Sequence, residues 1–135
     1  MYCCGPYGAW EEDTPGIEFE RHLCELYEPG GKPASANLYP QGVLASMTMM
    51  EAVKRALEAV GYEKLNREAV KKYGYDTMTG AGAFDTEGLS GPVDFDPVYH
   101  KGLRSLRIWR IKDGKLQVIT DWLPAPMIEI PPPSK

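Results

Sequence analysis

At 135 residues and 43% apolar content, the chain is the size of one domain and can bury a core. A net charge of −4 with no basic run argues against a nucleic-acid partner, and no apolar stretch approaches the length of a membrane span. The first residues, Met1-Tyr2-Cys3-Cys4-Gly5-Pro6, lack the basic and apolar regions of a secretion signal, so the sequence as it stands is expected to stay in the cytoplasm.

Residues 1–13 mix aromatic and turn residues and read as a short extended piece followed by a loop. Thr14-Pro15-Gly16 then opens a helix, with Thr14 as N-cap and Pro15 at the first helical position. Glu11, Glu12 and Asp13 precede it as exposed acids suited to the positive end of the helix dipole. Phe19, Leu23, Leu26 and Tyr27 share one face, and Glu28-Pro29-Gly30-Gly31 ends the helix. A longer helix is expected from about Tyr39 to Val60, where Val43, Met47, Met50, Val53, Leu57 and Val60 recur at steps of three and four. Glu51 and Arg55 are spaced for a pair one turn apart, Gly61 is the C-cap, and Met47, Met49 and Met50 are read as core filling. Asn66 caps a short helix through Tyr73, which Gly74 stops. The glycine-rich run to Gly102 contains strand-like alternation at Pro92-Val93-Asp94-Phe95-Asp96. From Leu103 to Trp122 the pattern is a β-hairpin. Leu106, Ile108 and Arg110 alternate with Arg107, Trp109 and Ile111; Lys112-Asp113-Gly114-Lys115 turns the chain, and Leu116 and Val118 return on one face. A proline-rich extended tail without P-x-x-P spacing closes the sequence.

Reactive groups are sparse. Cys3, Cys4 and Cys24 form an odd set without zinc spacing; free thiols are the favoured reading, and a link from Cys24 to the N-terminal pair stays open. His22 and Cys24, two apart on a helix, face different ways and make no nucleophile–base pair. His100 with Asp94 or Asp96 is a weak metal or acid–base candidate against a solvated turn. Gly80-Ala81-Gly82 lacks the Lys-Ser/Thr pair of a phosphate loop. No cofactor is implied, and the reading is not an enzyme.

Four segments, in this order, resemble the C-terminal portion of the type I extracellular solute-binding proteins of ABC importers. These receptors serve branched-chain amino acids, amides, urea and aromatic acids. Trp10-Glu11-Glu12-Asp13-Thr14-Pro15-Gly16 is similar to the family's acid-Thr-Pro-Gly lead into a late helix. Tyr39-Pro40-Gln41-Gly42 with Met49 to Ala56 is similar to its Tyr-x-x-Gly start and Glu-Ala-x-x-Arg-Ala helix. Asn66 to Val70 resembles its Arg-Glu-Ala-Val helix. The last segment runs from Phe84-Asp85-Thr86 through Gly88-Leu89-Ser90-Gly91-Pro92-Val93-Asp94-Phe95 and His100-Lys101-Gly102 to Trp109–Lys115 and Thr120-Asp121-Trp122.

The resemblance implies an α/β chain carrying part of the type I periplasmic-binding-protein fold. It would hold two main helices, a short helix and a C-terminal antiparallel β-hairpin, and lack most of the parallel sheet. Complete members are roughly two to three times this length, in the range of two-domain chains, with ligand between two lobes. Residues 1–75 would pack with the first lobe, 76–102 would be the last crossover, 103–122 the hairpin of the second lobe and 123–135 a tail. Tyr39 matches an aromatic that touches ligand in some relatives, with packing at the helix start as the alternative. Tyr7 and Trp10 belong to the loop that faces the cleft, with surface or hinge packing as theirs. The family's groups for an amino acid's carboxylate and ammonium are missing, so an amino acid, amide or aromatic acid is expected to bind only in a full-length context. The implied partner is an importer permease, and the implied location is periplasmic or extracellular. Helix faces that a sheet would normally cover imply a homo-oligomer. The alternative is a stand-alone oligomerising interaction module descended from the family.

Overall fold

The computed structural model describes residues 1–27, 30, 38–95 and 101–125. Strand β1 (Tyr2–Gly5) leads through a loop to helix α1 (Pro15–Tyr27), and the longer α2 spans Leu38–Val60. A short α3 (Arg67–Ala69) passes without a break into a π-helical turn, Val70–Gly74. Strands β2 (Ser105–Lys112), β3 (Lys115–Val118) and β4 (Leu123–Pro124) follow. The hairpin is as the alternation requires. Lys112 pairs with Lys115, and Asp113 and Gly114 both take positive φ, 53° and 73°, the pair of left-handed residues that a two-residue turn between twisted strands needs. The sheet is larger than a hairpin. β1 runs antiparallel to β2, with Cys3 opposite Trp109, and β4 adds to the start of β2 through Leu106 and Leu123.

The core joins both halves. Ile17 of α1, Val43 and Leu44 of α2, and Leu89 and Val93 of the glycine-rich segment are buried together, with Tyr7, Leu23, Tyr39, Met47, Phe84, Phe95 and Leu103 packed around them. Gly16 is where α1 meets the 86–89 turn. A Cβ there would stand 2.5 Å from the Thr86 carbonyl oxygen, so only glycine permits the approach.

Several local expectations are corrected by this packing. Thr14 holds the N-cap position, since the Glu18 amide donates to its carbonyl oxygen, but its buried hydroxyl makes no hydrogen bond among the described residues. The Gly16 amide instead donates to the Glu87 carbonyl oxygen at 2.9 Å, which satisfies a first-turn donor from the neighbouring turn. The inward face of α1 is Gly16, Ile17, Glu20 and Cys24, while Phe19, Leu26 and Tyr27 are exposed and Leu23 alone of the expected face packs on the core. Along α2 the buried stripe is Pro40, Leu44, Thr48, Ala52 and Ala56, with Val43 beside it. Small residues dominate its second half because Gly74 crosses Ala52 closely. Met47 fills the core as expected; Met49 and Met50 are exposed.

Gly74 therefore does more than stop a helix: a Cβ on it would lie 2.4 Å from the Ala52 carbonyl oxygen. Val93 makes isolated bridges to Phe84 and Leu103 rather than a strand: the Asp94 amide donates to the Gly102 carbonyl oxygen as part of the Leu103 bridge, and the Phe95 amide then turns away to the Met78 carbonyl oxygen. Leu116 and Val118 share one face of β3, opposite Ile111 and Trp109, with Leu116 half-buried and Val118 exposed at the end of the strand. Asn66 caps as read, accepting from the Ala69 amide at 2.8 Å, and Arg55 donates to Glu51 at 2.7 Å and reaches on to the Gly82 carbonyl oxygen at 2.8 Å.

Candidate functional site

Between the sheet and the start of the helices lies a concavity of about 390 Å³. Its rim and walls are the whole Cys3–Glu11 segment, with Glu20 of α1, Pro40 of α2, Trp109 of β2 and Leu116 of β3. The volume falls within the range of small-molecule sites, and its lining is mostly apolar and aromatic.

The segment is held in place by one carboxylate that composition alone makes look ordinary. Arg107 and Trp109 are two apart on β2 and so share a face. Both reach Glu12: Arg107 Nη1 donates to Oε2 at 2.6 Å, and Trp109 Nε1 donates to Oε1 at 2.8 Å. The Ala9 amide donates to the same Oε1 at 2.7 Å. Glu12, expected as an exposed capping acid, is thus the knot between loop and sheet, with its side chain only 10% exposed. Arg21 adds a second clamp from α1, donating to the carbonyl oxygens of Trp10 and Glu12 at 2.8 and 3.0 Å. On the far side Gly8 donates to the Leu89 carbonyl oxygen and Tyr7 bridges Ser90. The Arg107 guanidinium also lies 4.3 Å above the Trp122 ring and 3.2 Å from Asp121, whose carboxyl the Trp122 amide and Arg107 hold below its usual range.

Glu20 is the unusual wall. It is 3% exposed, and no hydrogen bond among the described residues ends on its carboxylate. Burial pushes this carboxyl up to about 7, with the adjacent Arg21 charge pulling the other way. Burial also raises the Tyr7 phenol.

Of the three residues singled out in the sequence, Tyr7 and Trp10 line this concavity and Tyr39 does not. Tyr39 packs against the core, and the next residue, Pro40, reaches the wall. Glu20, Trp109 and Leu116 were not anticipated there. The signal for Glu20 was an acid three residues after Ile17 and four before Cys24, a position that faces inward once Ile17 does. The weaker candidates come to little. Asp94 is paired with Arg104 and accepts from the Gly80 amide. Burial alone would raise its carboxyl, but the Gly80 amide, the Arg104 guanidinium and Thr79 together hold it below the usual range. Asp96 and His100 lie outside the described residues, as does the tail beyond Ala125. Cys3, Cys4 and Cys24 are unbridged, and among the described residues no group of histidine, cysteine and carboxylate ligands comes together around a metal position.

No protein-family model and no curated protein sequence matches the chain. Solved structures do. One described as a branched chain amino acid ABC transporter from Thermus thermophilus with bound valine matches at 26% identity and a TM-score of 0.70, over 92% of this chain and 33% of that one. A fatty acid ABC transporter substrate-binding protein from Thermomonospora curvata matches at 16% identity and a TM-score of 0.61, over 92% and 30%. An ABC transporter substrate binding protein from Aeropyrum pernix matches at 22% identity and 0.58, over 93% and 32%. The chain carries part of the type I periplasmic-binding-protein fold and spans about a third of the length of these proteins. They are transport binding proteins, not enzymes. No helix among the described residues is long and apolar enough to cross a membrane.

Proposed function

We propose that this chain supplies the C-terminal third of a solute-binding protein for an ABC importer of amino acids or related small molecules, acting outside the cytoplasmic membrane and without catalysis. The observation that carries the reading is the match to the valine-bound Thermus thermophilus structure over 92% of this chain. In this arrangement residues 1–75 belong with the first lobe, apart from β1, which departs from that expectation by pairing with β2; residues 76–102 form the last crossover, and the hairpin belongs to the second lobe. Tyr7 and Trp10 give one aromatic edge to the ligand cleft, and Tyr39 supports the wall from behind. Without the other lobes the chain does not close around an amino acid, because among the described residues the concavity offers no cation to receive a carboxylate. The partner is the importer's permease. Detecting the endogenous polypeptide with an antibody to the C-terminal residues tests this. A product well over twice this mass supports the reading, and a product of this mass overturns it.

A second reading has its own observation. Phe19, Leu26 and Tyr27 on α1 and Leu38, Met49 and Met50 on α2 are exposed, an apolar surface that a sheet covers in a complete α/β lobe. A chain produced alone would bury it by self-association, as a homo-oligomeric interaction module.

A further inference from the structure

The concavity contains a charge arrangement that neither reading uses. Among the described residues its lining includes two carboxylates, Glu20 and Glu11, and no lysine, arginine or histidine. Glu20 is 97% removed from solvent, yet it sits in the wall with no donor bonded to it among the described residues. Its oxygens are not among the fully enclosed atoms that lack a partner, so they open onto the concavity, where a ligand's donors can take the place of water. The nearest cation in sequence, Arg21, is already engaged with the Trp10 and Glu12 carbonyl oxygens and lies 3.6 Å from Asp13. The remaining walls are the aromatic rings of Tyr7, Trp10 and Trp109 with Pro40 and Leu116. Aromatic faces attract cations as well as apolar groups.

We infer that this concavity binds a small organic ammonium ion, a primary amine on an apolar or aromatic body, with the Glu20 carboxylate as its counter-ion. An ammonium offers three donors to a carboxylate that has none, while its body takes the place of water against the rings. An amino acid fits worse, because its carboxylate would meet the Glu20 carboxylate and, among the described residues of the lining, no cation. The lining residues named here all belong to this chain, so amine binding is measured whatever the size of the endogenous polypeptide.

The experiment titrates the chain with 2-phenylethylamine, and in parallel with 2-phenylethanol and phenylalanine, following tryptophan fluorescence and amide chemical shifts. The expected result is saturable amine binding with a dissociation constant of about 1 mM or tighter near pH 8. The alcohol and phenylalanine should each bind at least about tenfold more weakly. Affinity for the amine should fall by about tenfold toward pH 5.5, as Glu20 takes up its proton; the other titratable and charged groups around it are Cys3, Cys4, Tyr7 and Glu11 in the lining and Arg21 beside it. Glu20→Gln should abolish saturation while keeping the near-ultraviolet dichroism of the folded chain, because it removes a buried charge without changing shape. Glu11→Gln should leave affinity within about twofold, which separates a specific counter-ion from general acidity. Equal binding of amine and alcohol, unchanged affinity in Glu20→Gln, or no saturation by about 10 mM amine would each overturn the proposal.

Discussion

Replacing Glu12 with Gln tests the assignment of that carboxylate as the knot between loop and sheet. The amide oxygen of Gln can still accept from Ala9 and Trp109, but its NH2 then points at Arg107, donor against donor. What is lost is an ion pair whose side chains are 10% and 12% exposed. Breaking such a pair costs roughly 3–5 kcal/mol because one charge stays buried without its partner. Arg107 keeps Asp121, but that acid is 91% exposed and returns little. The expected loss is therefore near the lower end, about 3 kcal/mol, a large share of the stability of a domain this size. Urea unfolding followed by tryptophan fluorescence measures it as a fall in midpoint at unchanged slope. Glu12→Gln combined with Arg107→Met should be more stable than Glu12→Gln alone, since removing the stranded cation relieves the penalty. A loss under about 1 kcal/mol, or additive effects in the double variant, would refute the assignment.

Three further outcomes follow from the same packing. The Glu20 carboxyl sits near 7 in the folded chain against its ordinary 4.5, so it adds stability below the unfolded value that is lost as pH rises through the folded one. Glu20→Gln should flatten the stability profile between about pH 4.5 and 7 and gain up to about 3 kcal/mol at neutral pH; an unchanged profile in urea titrations across that window would show the carboxyl to be solvated. Gly74→Ala should lose about 2 kcal/mol or more by driving a methyl against the Ala52 carbonyl, while Gly42→Ala, in α2 with nothing within 4 Å, should gain about 0.5–1 kcal/mol; equal effects in thermal melts would contradict the close helix crossing. Light scattering of the purified chain should show a dimer or larger species that Tyr27→Lys and Met50→Lys together dissociate, and a compact wild-type monomer would dismiss self-association through these faces.

What was legible in the sequence is what neighbours along the chain decide. The Asp113-Gly114 turn, the Asn66 cap, the Gly61 terminus and the Glu51–Arg55 pair all join residues within a few positions of each other, so identity and spacing alone specify them. The family likeness was readable for a related reason: it rests on ordered local motifs. The same order singled out Tyr7 and Trp10, which line the concavity, and Tyr39, which packs against the core.

Tertiary structure decided the rest, because distance in sequence hides the partners. Glu12 meets Arg107 and Trp109 across 95 and 97 residues, and no local pattern distinguishes it from Glu11 or Asp13 beside it. Periodicity gave helix α1 an apolar face, but the tight approach of Gly16 to the 86–89 turn rotates Ile17, Glu20 and Cys24 inward and leaves Phe19 and Tyr27 outside. Sequence thus fixes where helices and strands form, while contact between remote segments fixes which side of each is buried. A carboxylate is placed in the wall of the concavity by the second process alone.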